Sequence, residues 1–322
     1  MQQIPTIDWD AAVSAGTMVL PAGPYLDAED VSVVVADLRR AAAAATEHVA
    51  RVTELPQPAS SEILVVDRAT WLRAVTRSAA AMLEGAAGAP KPAENSWQRA
   101  GAKALGGQVG VVMAVVATRI LGQFDPFGEP NRLMLVAPNV VTVERALGVV
   151  PSDFRLWVCL HEETHRFQFG YAPWLRQHLL GLIGELLDGD ELRFAWRTDD
   201  PTDAVLGTPA QKAAFDNASA VMSLLEGHAD VMMDRVGPGV VPSFAVIRRA
   251  FDQRRYSGGW FAWVQKLLGL DIKYAQYREG GKFCHDVIDA TDVATLNRAF
   301  SAPEMLPSLS ELREPQRWLD RI

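Results

Sequence analysis

Apolar residues recur at three- and four-residue spacing along most of this chain, and strand-like runs occur only at two places. The pattern predicts helices over residues 28–52 behind Asp27, over 69–84 behind Asp67, and over about 95–123. Gly101, Gly106, Gly107 and Gly110 weaken the last of these and mark close packing or a break. Further helices are expected over 151–170, 173–187 and 210–235, with more to the end of the chain. Proline and small residues make connectors of 55–61 and 85–94, and the polar stretch 188–209 reads as a long loop, either a lid or a surface excursion. The β-rich runs are 63–66 and 133–136, the second being either a strand that pairs with extended substrate or a buried connector. The expected fold class is therefore mainly α, an α+β chain with a small sheet.

Composition narrows the class without naming a function. The chain has 322 residues, 49% hydrophobic and 22% charged, as in an ordinary globular protein. A net charge of −8 argues against nucleic acid or an anionic membrane as partner. The longest apolar run, Val109 to Ala117, is too short to span a bilayer, and the N-terminus lacks a basic and hydrophobic leader, so a cytoplasmic protein is expected. Cys159 and Cys284 read as buried reduced thiols.

His161-Glu162-Glu163-Thr164-His165 changes the picture. Residues i and i+4 of a helix share a face, so two imidazoles converge on one ion, while Glu162 sits about 100° away, where it can reach a water without ligating. A chain with 6 histidines would contain His-Glu-x-x-His by chance only ~0.006 times. Pro151-Ser152-Asp153 supplies a helix start and Gly170 a stop. On that helix Phe154, Val158, His161, His165 and Gln168 form one stripe, expected to line a cleft; Leu156, Cys159, Leu160 and Phe167 form the opposite, core-facing one. Glu163 falls off the ligand side, as a structural or solvated charge. The motif is the zinc signature of zincins, and the expected cofactor is Zn2+.

A catalytic zinc takes three protein ligands. No third histidine follows at metzincin spacing, so the search passes to acids on a second helix. In Leu224-Leu225-Glu226-Gly227-His228-Ala229-Asp230, Glu226 and Asp230 are one turn apart. Glu226 is the leading third ligand, with Asp230 holding a zinc histidine through its other ring nitrogen. His228 lies about 200° round from Glu226 and could ligate beside it only if the helix broke at Gly227. Asp230 as ligand is the remaining option. Tyr277 and Arg278 are candidate donors to an oxyanion, with His285 and Tyr171 behind them; packing and salt bridging are the plainer roles for Tyr277 and Arg278.

FRLWVCLHEETHRFQF, LLEGHAD, QYREGGKF and the ending LPSLSELREPQRWLDRI together resemble the actinobacterial zincin-like metallopeptidases, a family associated with biosynthesis of the deazaflavin coenzyme of the factor-420 type. The resemblance runs from IDWDAAVSAG nearly to the end of the chain. It implies a zinc hydrolase with His161, His165 and Glu226 at the family's motif positions. The expected organisation is one zincin-like domain over 1–322, or two lobes, an N-terminal helical one over 1–150 and a zinc-binding catalytic one over 151–322. A peptide or protein is the leading substrate. A non-peptide amide, or a metal-binding scaffold of little turnover, are the other two classes, and the sequence leaves the oligomeric state open.

Overall fold

The computed structural model describes residues 6–89, 93–188, 208–255 and 275–322, with side chains described outside 251–255 and 275–278. The chain divides into two compact units, Met1–Ala43 with Ser60–Glu162, and Ala44–Ala59 with Glu163–Ile322. Sequence reasoning drew its boundary at 150, between elements; here it falls inside helices α2 (Ala28–Thr53) and α6 (Pro151–Tyr171).

In the first unit, helices α1 (Trp9–Val19), α3 (Arg68–Ala87) and α4 (Ser96–Ala117) start where short polar side chains can satisfy the otherwise unbonded N–H groups of a first turn. Asp8 accepts from the Ala11 N–H at 2.9 Å, Asp67 from Thr70 at 2.7 Å and Asn95 from Gln98 at 2.9 Å. No break occurs at the α4 glycines, and two of them, Gly106 and Gly110, mark close packing. A Cβ on Gly106 would lie 2.1 Å from the Asp8 carbonyl oxygen, and one on Gly110 2.0 Å from that of Ala12, so α1 and α4 meet backbone to backbone. The apolar run 109–117 thus belongs to a 22-residue helix whose most apolar 18-residue stretch has mean hydropathy 1.5, long and apolar enough to cross a membrane by those two criteria.

The helix stops at Ala117, earlier than its sequence pattern suggests, and the chain turns into strand β2 (Gly122–Asp125). Asn139 holds that turn: its Nδ2 donates to the carbonyls of Ala117 at 2.8 Å and Ile120 at 2.6 Å, and its Oδ1 accepts from Arg68 Nε at 2.7 Å. Strands β1 (Glu62–Val66) and β3 (Arg132–Val136) complete a sheet of order β1-β3-β2, parallel on one side of β3 and antiparallel on the other. Of the two options for 133–136, the substrate-pairing edge is therefore incorrect. Strand β3 is central, its hydrogen-bonding edges taken by β1 and β2, and Leu133 to Val136 are fully buried. Helix α5 (Ala137–Leu147) follows directly, closed by Gly148 in the left-handed conformation at φ 60°.

The second unit holds the distal parts of α2 and α6, then α7 (Trp174–Leu187), α8 (Pro209–Val236), α9 (Phe244–Arg255) and α10 (Ala275–Ala290), followed by the short helices α11 (Val293–Asn297), α12 (Leu309–Arg313) and α13 (Pro315–Arg321). Helices α8 and α10 also meet through glycine: a Cβ on Gly227 would lie 2.2 Å from the Gly280 carbonyl carbon, and one on Gly280 1.9 Å from the Ser223 oxygen. Trp318 plugs the C-terminal end, donating to the Met305 carbonyl at 2.8 Å and meeting the Phe283 ring edge-on at 5.3 Å.

Glycines of one helix should answer oppositely to alanine. Gly110→Ala should destabilise the chain by roughly 1–3 kcal/mol, because backbone must move. Gly101→Ala, with open space around its Cβ site, should be neutral or stabilise by up to about 1 kcal/mol. Chemical denaturation of both variants measures this; equal shifts would refute the backbone contact.

Candidate metal centre

Helix α6 carries the His-Glu-x-x-His motif and is buried on nearly every side. Phe154, Val158 and Gln168 of the supposed cleft stripe are buried, as are Cys159, Leu160 and Phe167 opposite. The division into a wet face and a dry face is therefore incorrect; exposure on the ligand stripe is confined to partial exposure at His161 and His165. A buried helix with this many polar groups needs a partner for each. In the first unit Arg155 makes a forked pair with Glu144 at 2.7 and 3.0 Å and reaches Asp37 at 2.6 Å. In the second, Glu163 accepts from Thr46 Oγ1 at 2.7 Å and pairs with Arg166, which also donates to the Ala59 carbonyl at 2.9 Å. Of the two options for Glu163, the structural one holds. Gly170 is not the stop: the helix runs on to Tyr171, and a Cβ at 170 would lie 2.3 Å from that of Pro58.

His161, His165 and Glu226 each offer one ligand atom, and the three lie within 4.8 Å of one another. His165 Nε2 is 3.5 Å from Glu226 Oε1. Two ligands at zinc distance on a tetrahedral ion stand roughly 3.3 Å apart, so the spacing fits one. Two imidazoles with one carboxylate also match zinc in donor chemistry. The His165 and Glu226 side chains keep 13% and 31% of their surface exposed, so the cluster is open to solvent, as a site that must admit water and substrate requires.

The other nitrogen of His165 is held by Gln168, a residue that sequence reasoning placed on the stripe without giving it a task. His165 Nδ1 lies 2.9 Å from Gln168 Oε1, and Gln168 Nε2 donates to the Leu225 carbonyl and to His228 Nδ1, both at 2.9 Å. The i, i+3 spacing was the available signal, since such residues are neighbours on a helix. Helix α8 is unbroken through Gly227, so His228 points into the second unit's core. There its ring meets Phe300 edge-on at 5.1 Å. Burial first, then the neighbouring His165, lower its pKa to about 3, against the opposing effect of Asn297.

Glu162, one residue along from His161, is held by strand β2. Its Oε2 accepts from the Phe124 N–H at 3.0 Å. In the β2–β3 register Leu121 and Val136 are a hydrogen-bonded pair, so the Phe124 N–H faces outward from the sheet. Gly122 lets the carboxylate in, for a Cβ there would lie 2.6 Å from Glu162 Cγ.

Asp230 faces Arg248 Nη1 at 3.5 Å, and Arg248 Nη2 stands 3.3 Å from Asp234. At His165 the contact to the other ring nitrogen is made by Gln168. Tyr277 and Arg278 lie on α10, with side chains outside the described residues. His285 on the same helix is 3.9 Å from Asp234, and Tyr171 ends α6 partly exposed. Of the supposed lid, 189–207 lie outside the described residues. Both cysteines are buried thiols; burial, with Asp230 second, pushes the Cys284 thiol up.

Known proteins resemble the chain in sequence and in fold. A protein from Chloroflexus aurantiacus, provisionally described as a hydrolase with a novel fold, has 30% identity and a TM-score of 0.75, with 98% of each chain covered. No curated protein matches. Neither that description nor the family's own mentions a deazaflavin coenzyme. Residues 7–319, almost the whole chain and including the motif helix and Glu226, match the zincin-like metallopeptidases, and the chain belongs to that family.

Proposed function

We propose that this hydrolase is a zinc-dependent peptidase of the glutamate-zincin type, with His161, His165 and Glu226 as ligands and Glu162 as general base. The convergence of three ligand atoms within 4.8 Å carries the reading. Bound by these three residues, zinc would supply Lewis acidity, lowering the pKa of a water towards 7 and polarising a carbonyl. Glu162 takes a proton from the attacking water and returns it to the leaving amine nitrogen as the C–N bond breaks. The Phe124 N–H and the bare backbone at Gly122 aim that carboxylate. Tyr277 and Arg278 are the proposed donors to the developing oxyanion.

Peptide-library profiling with elemental analysis tests the assignment. The wild type and Glu162→Gln should both hold stoichiometric zinc, with kcat lower by about 10²–10⁴ in the variant. Stoichiometric zinc without Glu162-dependent cleavage of any peptide would overturn the peptidase and favour a non-peptide amide or a scaffold. Glu226→Ala should lose zinc; unchanged affinity would refute the third ligand. Gly122→Ala should keep zinc while kcat falls by about tenfold to a hundredfold, since its methyl displaces Glu162. Unchanged turnover would detach β2 from the chemistry.

A further inference from the structure

The contacts of Gln168 have a direction. Its amide nitrogen lies 2.9 Å from the Leu225 carbonyl, which can only accept, so Nε2 is on that side and Oε1 is the atom facing His165. An amide oxygen accepts only, so His165 Nδ1 carries the proton and its Nε2 keeps a lone pair on the side of Glu226. The same Nε2 of Gln168 donates to His228 Nδ1, which leaves the proton of His228 on its Nε2. That atom is buried and opposes Asn297, whose Nδ2 donates to the Thr53 carbonyl at 2.8 Å. The Asn297 amide is thereby turned with Oδ1 available to the imidazole, and that oxygen too is buried without a partner within hydrogen-bond distance among the described residues. His228, Gln168 and His165 thus line up as a chain of donors and acceptors with one polarity, and Asn297, bonded to Thr53, stands at its buried end.

We propose that Gln168, aimed by the Leu225 carbonyl and His228, is a positioning residue that fixes His165 in the Nδ1–H tautomer and so presents its Nε2 to the metal. His228 serves the site from within the core and is not a ligand. The usual partner of a zinc histidine is a carboxylate, a backbone carbonyl or water. A neutral amide does the same orienting without placing a second negative charge behind the ring, and its second N–H bond fixes which end of the amide faces His165. The proposal rests on His165 ligating through Nε2, as assigned above.

Two-bond 1H–15N correlation spectra of the histidines in the metal-free, full-length protein read the tautomers directly, with His165 assigned from its absence in His165→Asn. The wild type should show His165 protonated at Nδ1 and His228 at Nε2. Gln168→Ala should populate the Nε2–H form of His165 and weaken zinc binding about 10–100-fold in a chelator competition. His228→Phe, which keeps an aromatic ring against Phe300, should shift both readouts in the same direction by less. A residue that merely packs would lower stability and leave the tautomer alone. Nε2–H at His165 in the wild type overturns the proposal whether or not the variants fold. So does a folded Gln168→Ala with unchanged tautomer and zinc affinity. Correct tautomers with no peptide cleavage would leave it standing and remove only the peptidase reading.

Discussion

The buried state of α6 is the constraint on which the rest depends. A helix with a solvent face can leave its charges to water; this one cannot, because Arg155, Glu162, Glu163, Arg166 and Gln168 are all nearly or fully buried. Removing one partner of a buried pair costs about 3–5 kcal/mol, since the charge left behind keeps its desolvation penalty. Rotating α6 about its axis would break several such contacts together. The Arg155 fork to Glu144, the bond from Thr46 to Glu163 and the bond from Arg166 to the Ala59 carbonyl thereby fix the azimuth of the helix. The directions of His161 and His165 follow from that azimuth.

Around this helix, glycine decides which backbones approach closely. Gly122 admits the Glu162 side chain to β2, and Gly170 admits Pro58 to α6. The Gly227–Gly280 contact brings α10 onto α8 one residue from Glu226. In a chain whose core is close-packed, an added methyl at any of these positions has nowhere to go without moving backbone or a site carboxylate.

Local signals were legible because they depend on neighbours in sequence. The caps at Asp67 and Asn95 sit where the sequence places them, since a short side chain reaches the N–H three residues on without help from the fold. The candidate trio was legible for a related reason: i, i+4 geometry brings two imidazoles together, and the apolar flanks of Glu226 make an unpartnered acid there too costly. Gly170 misled, because propensity treats glycine as an ending while packing uses it as a contact; of the close packing and the break that the α4 glycines offered, packing holds at Gly106 and Gly110. Strand β2 was hidden for the same kind of reason. Its four residues are too few to show a period, and the turn before it is held by Asn139 from a later helix.

The set of donor groups is local in origin: two imidazoles one helical turn apart, a glutamate between them, and an acid on a second helix. Those relations are set by helical geometry and by the cost of burying charge, both of which a single chain segment carries. Tertiary structure decided which strand touches the site, which residue holds His165, and where His228 faces. The strand order puts β3 in the middle and β2 beside Glu162, and no local pattern encodes strand order. Gln168 acquires its direction only when Leu225 and His228 arrive from α8, far along the chain, because an amide reads the same in sequence whichever way its two ends point.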